Sequence, residues 1–121
     1  EAALAIAAQA PDDHSFMSRM EGLVGNSVLA AESVPAAVGI VAYTGGDPMR
    51  TIAIGASIGN DTDSIATMAG AIAGAWRGLA GVPADLCAEF EAANRADFDL
   101  GAIAAGLGDL AWRHWQERRH G

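Results

Sequence analysis

The run from Ile65 to Trp76 carries no charge, and Gly70, Gly74 and Gly78 fall four residues apart along it and just past its end. On a helix, residues four apart share one face, so these glycines predict a flat stripe against which a second helix can pack closely. Membrane helices use the same pattern, but a span needs about 20 apolar residues. Arg77 ends this run short of that. The spacing therefore predicts a central buried helix, from Asp63 or Ser64 to about Leu79, and with no convincing run of alternating strands elsewhere the class is all-α.

Composition agrees with close helix packing. Hydrophobic residues make up 51% of the 121-residue chain but aromatics only 6%, and there are 15 glycines. Such a chain is expected to bring helix backbones together rather than fill a core with bulky side chains. The length suits one domain or a piece of a larger one. A formal charge of −8, from 15 acids against 7 bases, repels nucleic acid and anionic membrane surfaces and is compatible with divalent cations. Cys87 is the lone cysteine, so no internal disulfide forms; a reducing, cytoplasmic location is the expectation. No basic segment leads into an apolar one at the start, so no signal peptide is expected. Glu1 already stands in a helical pattern, and the chain is read as a fragment.

Taken in order, Glu1 to Ala10 reads as the end of a helix stopped by Pro11. Asp12 and Asp13 supply caps for a short helix with Phe16, Met17, Met20 and Leu23 at helical spacing. Gly25-Asn26-Ser27-Val28 reads as a loop whose small residues let a ligand approach the backbone. A helix is expected from Ser33 through Tyr43, closed by Thr44-Gly45-Gly46. Asp47-Pro48 is a start signal, because aspartate caps and proline at the first helical position loses no hydrogen bond. Ile52, Ile54 and Ile58 suit the helix that follows, although Ile52 and Ile54 also satisfy a strand period. After Gly81-Val82-Pro83, one helix presents Leu86, Phe90 and Ala93. Asn94-Arg95-Ala96-Asp97 breaks the chain, and the last helix, from about Asp99 to Arg118, presents Leu100, Ile103, Leu107, Leu110 and His114.

The chemistry concentrates in Ile58-Gly59-Asn60-Asp61-Thr62-Asp63-Ser64-Ile65. Two carboxylates at i and i+2, with a hydroxyl directly after the second, supply the hard oxygen donors that Mg²⁺ or Ca²⁺ requires. The competing role is helix capping, in which such an oxygen accepts an amide hydrogen of the first turn. An EF-hand is excluded, since Ile65 and Ala66 stand where a ligand and a glycine are needed. A haloacid-dehalogenase-type phosphatase would need a strand of branched residues leading in, and Gly55, Ala56, Ser57 and Gly59 do not provide one. His14, His114 and His120 lack zinc spacing and read as surface or edge residues. Cys87 reads as a small buried hydrophobe, and Trp76, Trp112 and Trp115 as core or helix-edge residues. Glu32 reads as an acid near a helix start, with a general-base role as the alternative.

Residues Gly59-Asn60-Asp61-Thr62-Asp63-Ser64-Ile65-Ala66-Thr67-Met68-Ala69-Gly70-Ala71-Ile72-Ala73-Gly74-Ala75 resemble the carboxy-terminal signature of the ADP-ribosylglycohydrolases. Gly25-Asn26-Ser27-Val28, Glu32-Ser33-Val34-Pro35-Ala36-Ala37 and Gly81-Val82-Pro83 agree with it. The similarity is closest to the branch that removes ADP-ribose from serine and degrades its polymers. It implies a compact, multi-helix orthogonal bundle, with residues 1–121 forming the carboxy-terminal portion of a larger all-helical domain. It also implies a Mg²⁺-dependent hydrolase with two ions in the complete enzyme. Asp61 and Asp63 would be carboxylate ligands, Asp63 the bridging one, and Ser64 would bind through its hydroxyl. Asn26, Ser27 and Val28 match a loop that contacts bound ADP-ribose in similar enzymes. The family usually has Gly and Thr where this chain has Asn60 and Ser64. The implied partners are the amino-terminal half of the same enzyme, which holds the remaining ligands and the residue acting on water, and an ADP-ribosylated protein or ADP-ribose-like molecule. The catalytic acid or base is not identified in this chain. Little hydrolysis is expected from the 121 residues alone. The alternative is a non-catalytic, crystallin-like member with the same fold.

Overall fold

The computed structural model describes residues 1–120; Gly121 and the His120 side chain lie outside the described residues, so the expectation for His120 does too. Among these residues there are seven α-helices, a short 3₁₀ turn and no strand. The helices are α1 (Ala2–Gln9), α2 (Asp13–Leu23), α3 (Ala30–Tyr43), α4 (Pro48–Ser57), α5 (Thr62–Arg77), α6 (Ala84–Asn94) and α7 (Leu100–His120), with the 3₁₀ turn at Leu79–Gly81. The all-α class follows directly, and the strand alternative for Ile52 and Ile54 falls away. Contacts divide the chain into Glu1–Val82 and Pro83–Gly121.

In the first unit the local signals act as expected. Asp12 Oδ1 accepts from the Ser15 amide at 2.7 Å and caps α2, while Asp13 sits in the first turn. Asp47 Oδ1 accepts from the Arg50 amide at 2.8 Å, with Pro48 opening α4. At the end of α3, Gly45 and Gly46 take φ +63° and +76°. Their amides return to the carbonyls of Ala42 and Val41, closing the helix in a Schellman arrangement.

The start of α3 differs from expectation. The helix begins at Ala30 rather than Ser33 and carries Pro35 in its second turn. Pro35 forfeits a bond to the Ala31 carbonyl, and Ala31 is exposed, so solvent can take that bond's place. The entry is held instead by side chains: Ser27 Oγ accepts from the Leu29 amide at 3.3 Å, and Ser33 Oγ donates to the Leu29 carbonyl at 3.2 Å.

The core is small-residue packing around a few larger groups. Phe16, Met20, Ile40 and Ile65 are fully buried among Ala3, Ala36, Ala37 and Ala69. Phe16 stacks on Tyr43 at 4.2 Å between ring centroids. Asp13 accepts from the Tyr43 hydroxyl and from Arg50, each at 2.7 Å, tying α2, α3 and α4 together at the rim. The buried hydroxyls of Thr44 and Thr51 meet at 2.6 Å.

Glycines do bring helices close, but not along the expected stripe. A Cβ on Gly74 would meet nothing within 4 Å, and Gly78 ends α5 with φ +68°, so the helix stops at Arg77 rather than Leu79. Of the three, only Gly70 meets a neighbour, Ile52 at 3.2 Å. The tighter seams lie elsewhere: a Cβ on Gly39 would come within 3.0 Å of Ala3 on α1, and one on Gly55 within 2.7 Å of the Ala66 Cα on α5. Helix α5 buries Ile65, Ala69 and Ala73 along one face, while Ile72 and Trp76 on the others are exposed. It is thus a one-sided helix rather than one buried all round. It packs on α3 and most extensively on α4.

In the second unit, α6 and α7 form where the periodicity places them. Asp99 Oδ1 accepts from the Ala102 amide at 2.9 Å and holds the start of α7. No residue from 83 to 119 is buried, so the apolar faces of both helices stand open. Cys87 is half-buried rather than interior. Trp112 and Trp115 stack at 4.8 Å and Arg119 covers Trp115; with Trp76 also exposed, the tryptophans are edge residues.

Candidate metal and ligand site

The stretch Ile58–Asp61 is the connection between α4 and α5, two helices whose backbones nearly touch at Gly55 and Ala66. So short a reversal forces unusual dihedrals. Gly59 takes φ +91° and Asn60 φ +52°, the latter the one described non-glycine residue in the left-handed region. Asparagine tolerates this conformation better than most side chains. Asn60 therefore fills a backbone position that otherwise favours glycine.

The second expected segment, Asn26-Ser27-Val28, lies against this turn. Asn26 is 3% exposed. Its Nδ2 donates to the Ile58 carbonyl at 2.8 Å, its Oδ1 accepts from Asn60 Nδ2 at 2.6 Å, and its main-chain carbonyl accepts from the Asp61 amide at 3.1 Å. Two segments more than thirty residues apart are thus joined by one residue. Of the trio, Val28 is exposed and Ser27 half-buried.

Glu32 in the first turn of α3 supports that loop. Its carboxylate accepts from the Ser27 amide at 3.1 Å and packs where a Gly25 side chain would otherwise lie. Hydrogen bonding from Ser27 holds the Glu32 carboxyl below the usual carboxylate range, so it stays ionised as the acceptor. Glu32 does stand in the first turn of α3, where an acid is expected; bracing the loop before the helix is a role the sequence did not announce.

Asp61 stands at the N-cap of α5 with φ −84° and ψ 55°, yet its side chain makes no capping hydrogen bond. Asp63 and Ser64 follow in the first turn and are exposed, while Asp61 and Thr62 are half-buried. The capping role, open on the sequence, is not the one the Asp61 carboxylate plays. Two carboxylates and a hydroxyl on one turn make an all-oxygen donor set, which fits Mg²⁺ in kind. They do not complete a site: among the described residues no group of three His, Cys, Asp or Glu converges as a metal cage. Further oxygens would have to come from elsewhere. Sequence reasoning singled out the acids and the loop as candidates but missed the inward hydrogen bonds of Asn26, since a Gly-Asn-Ser run carries only a turn signal.

The family model described as ADP-ribosylglycohydrolase matches residues 1–119. The chain belongs to the ADP-ribosylglycohydrolase family. It is 38% identical over 104 residues to the uncharacterized protein YegU of Escherichia coli (strain K12), covering 86% of this chain and 31% of that protein. It is 44% identical over 83 residues to the ADP-ribosylhydrolase ARH3 of Homo sapiens, covering 59% of this chain and 23% of the relative, and 39% identical over 84 residues to that of Danio rerio, covering 61% and 23%. The chain thus spans less than a third of the length of these relatives. No solved structure matches it significantly. No described helix is long and apolar enough to cross a membrane.

Proposed function

We propose that this chain supplies part of the site of a Mg²⁺-dependent hydrolase that cleaves the N- or O-glycosidic bond between ADP-ribose and a protein side chain or related ribosyl compound. Family membership and the similarity to ADP-ribosylhydrolases support the reaction class. The observation that carries the site assignment is the turn at Asp61: it is tied to Asn26 from behind, while the Asp61 carboxylate is left out of helix capping. Asp61, Asp63 and Ser64 would hold metal, with two ions in the complete enzyme. Bound there, Mg²⁺ would supply Lewis-acid chemistry, chelating ribose hydroxyls and polarising water. The chain's own groups do the positioning. The Asn26-Ser27-Val28 loop borders the turn and presents exposed Val28 to a ligand, and the N-terminus of α5 lends its dipole to the anionic groups beside it.

The partners in this reading are the remaining part of the family domain, contributing the missing ligands and the residue that acts on water, and an ADP-ribosylated protein in the cytoplasm. The test is release of free ADP-ribose from a serine-ADP-ribosylated peptide by the full-length protein. Activity should require Mg²⁺, fall below detection in Asp63→Ala, and be absent from the 121 residues alone. Full release by Asp63→Ala or in excess chelator would refute the assignment.

A further inference from the structure

We infer that Asn26 is a positioning residue for the metal-binding turn, fixing the direction in which Asp61 and Asp63 leave the backbone. This rests on the Mg²⁺ reading and deepens it. A turn with two consecutive left-handed residues has few ways to hold itself. Its own main-chain bonds are Thr62 to Asn60 at 3.0 Å and Ile65 to Asp61 at 3.1 Å, both on the helix side. On the other side, all three bonds reaching Ile58, Asn60 and Asp61 from outside come from Asn26.

The chemistry asks for asparagine in particular. One planar head must donate to a carbonyl and accept from an amide at the same time. Aspartate cannot donate to the Ile58 carbonyl, and alanine can do neither. Burial removes competing water from the bond to the Ile58 carbonyl, which strengthens it and makes leaving that carbonyl unpaired costly. Asn26 is itself immobilised, because the next residue gives its amide to Glu32 in the first turn of α3. Helix α3 therefore reaches the turn through Glu32, Ser27 and Asn26, and one chain of hydrogen bonds links the candidate metal and ligand segments.

Groups that orient metal ligands without touching the metal typically change affinity by about 10- to 100-fold when removed. The experiment measures Mn²⁺ binding to the full-length protein by electron paramagnetic resonance, with Mg²⁺ as competitor, for wild type, Asn26→Ala and Asp63→Ala. The expected result is a dissociation constant raised about 10- to 100-fold in folded Asn26→Ala, with an altered spectrum for the bound ion. A merely structural role would lower the melting temperature but leave the affinity and spectrum of the folded protein unchanged, and that result overturns the inference. Asp63→Ala separates the two readings: if it retains Mn²⁺ binding, the metal assignment itself fails and this inference with it. If it loses binding while Asn26→Ala keeps it, only the inference fails. Should Asn26→Ala not fold, hydrogen exchange in metal-free wild type decides. Protected side-chain amide hydrogens of Asn26, which donate to the Ile58 carbonyl, support the clamp; exchange at the unprotected rate overturns it.

Discussion

Gly55→Ala probes the α4–α5 seam that leads into the Ile58–Asp61 turn. A Cβ there would lie 2.7 Å from the Ala66 Cα, 3.0 Å from its Cβ and 3.3 Å from its amide nitrogen. Carbon atoms in contact prefer about 3.5–4.0 Å, so α4 and α5 must separate by about 1 Å. The obstacle is backbone, which cannot swing aside as the tip of a long side chain would. Overpacking of this kind costs about 1–3 kcal/mol, and the rigid obstacle places Gly55 near the upper end. Alanine returns about 1 kcal/mol through its better helix propensity. The net expectation is a loss of about 2 kcal/mol. Gly74→Ala makes the same chemical change on α5, where a Cβ meets nothing within 4 Å. It should gain about 0.5–1 kcal/mol. Urea unfolding of the two full-length variants should therefore show shifts of opposite sign at similar slope. If the proposed Mg²⁺ assignment holds, Gly55→Ala should also weaken binding of that ion, because α4 leads directly into the turn. Equal stability of the two variants would refute the view that this seam, rather than the glycine stripe, sets helix approach.

Two further outcomes follow from polar groups in the first unit. The Tyr43 hydroxyl and then Arg50 hold the Asp13 carboxyl below its ordinary value. A depressed folded value means that the ionised group stabilises the fold above the unfolded carboxylate range and that this contribution disappears as pH falls through the lowered value. Melting curves of wild type and Asp13→Asn should differ at neutral pH and converge in acid; a constant difference would contradict the pairing. Thr44 Oγ1 also reaches the carbonyls of Ile40 and Val41, whereas Thr51 has Thr44 as its partner. Thr44→Val should thus orphan a fully buried hydroxyl and cost about 1–3 kcal/mol, more than Thr51→Val; the reverse order in urea unfolding would show that Thr51 is satisfied otherwise.

The sequence was most legible where a signal is local. Asp12, Asp47-Pro48 and Gly45-Gly46 act through atoms within five residues, so their identities alone predict caps and stops. Expectation failed where the deciding partner is distant in the chain. Ser33, followed by Val34 and Pro35, reads as a helix start, but Ser27, with Glu32 bracing it, holds the entry to α3 a turn earlier. Helical spacing put Gly70, Gly74 and Gly78 on one face, yet spacing names the residues that share a face and says nothing of what approaches it. Gly39 and Gly55 belong to no visible pattern, and they mark close helix contacts because Ala3 and Ala66 oppose them.

The same distinction separates the two halves of the candidate site. Asp61, Asp63 and Ser64 lie within four residues and announce an oxygen-rich turn by themselves. What the sequence left open was whether those oxygens would be consumed by the helix they precede. That depends on the angle at which the chain enters α5, and the angle is set by a left-handed Asn60 held from Asn26. Had the turn been free to relax, an aspartate at an N-cap would ordinarily swing back onto the first amides of its helix. The external bonds oppose that relaxation. In the proposed site a buried asparagine thirty-odd residues upstream would therefore matter beside the carboxylates, although it carries no charge and no motif marks it.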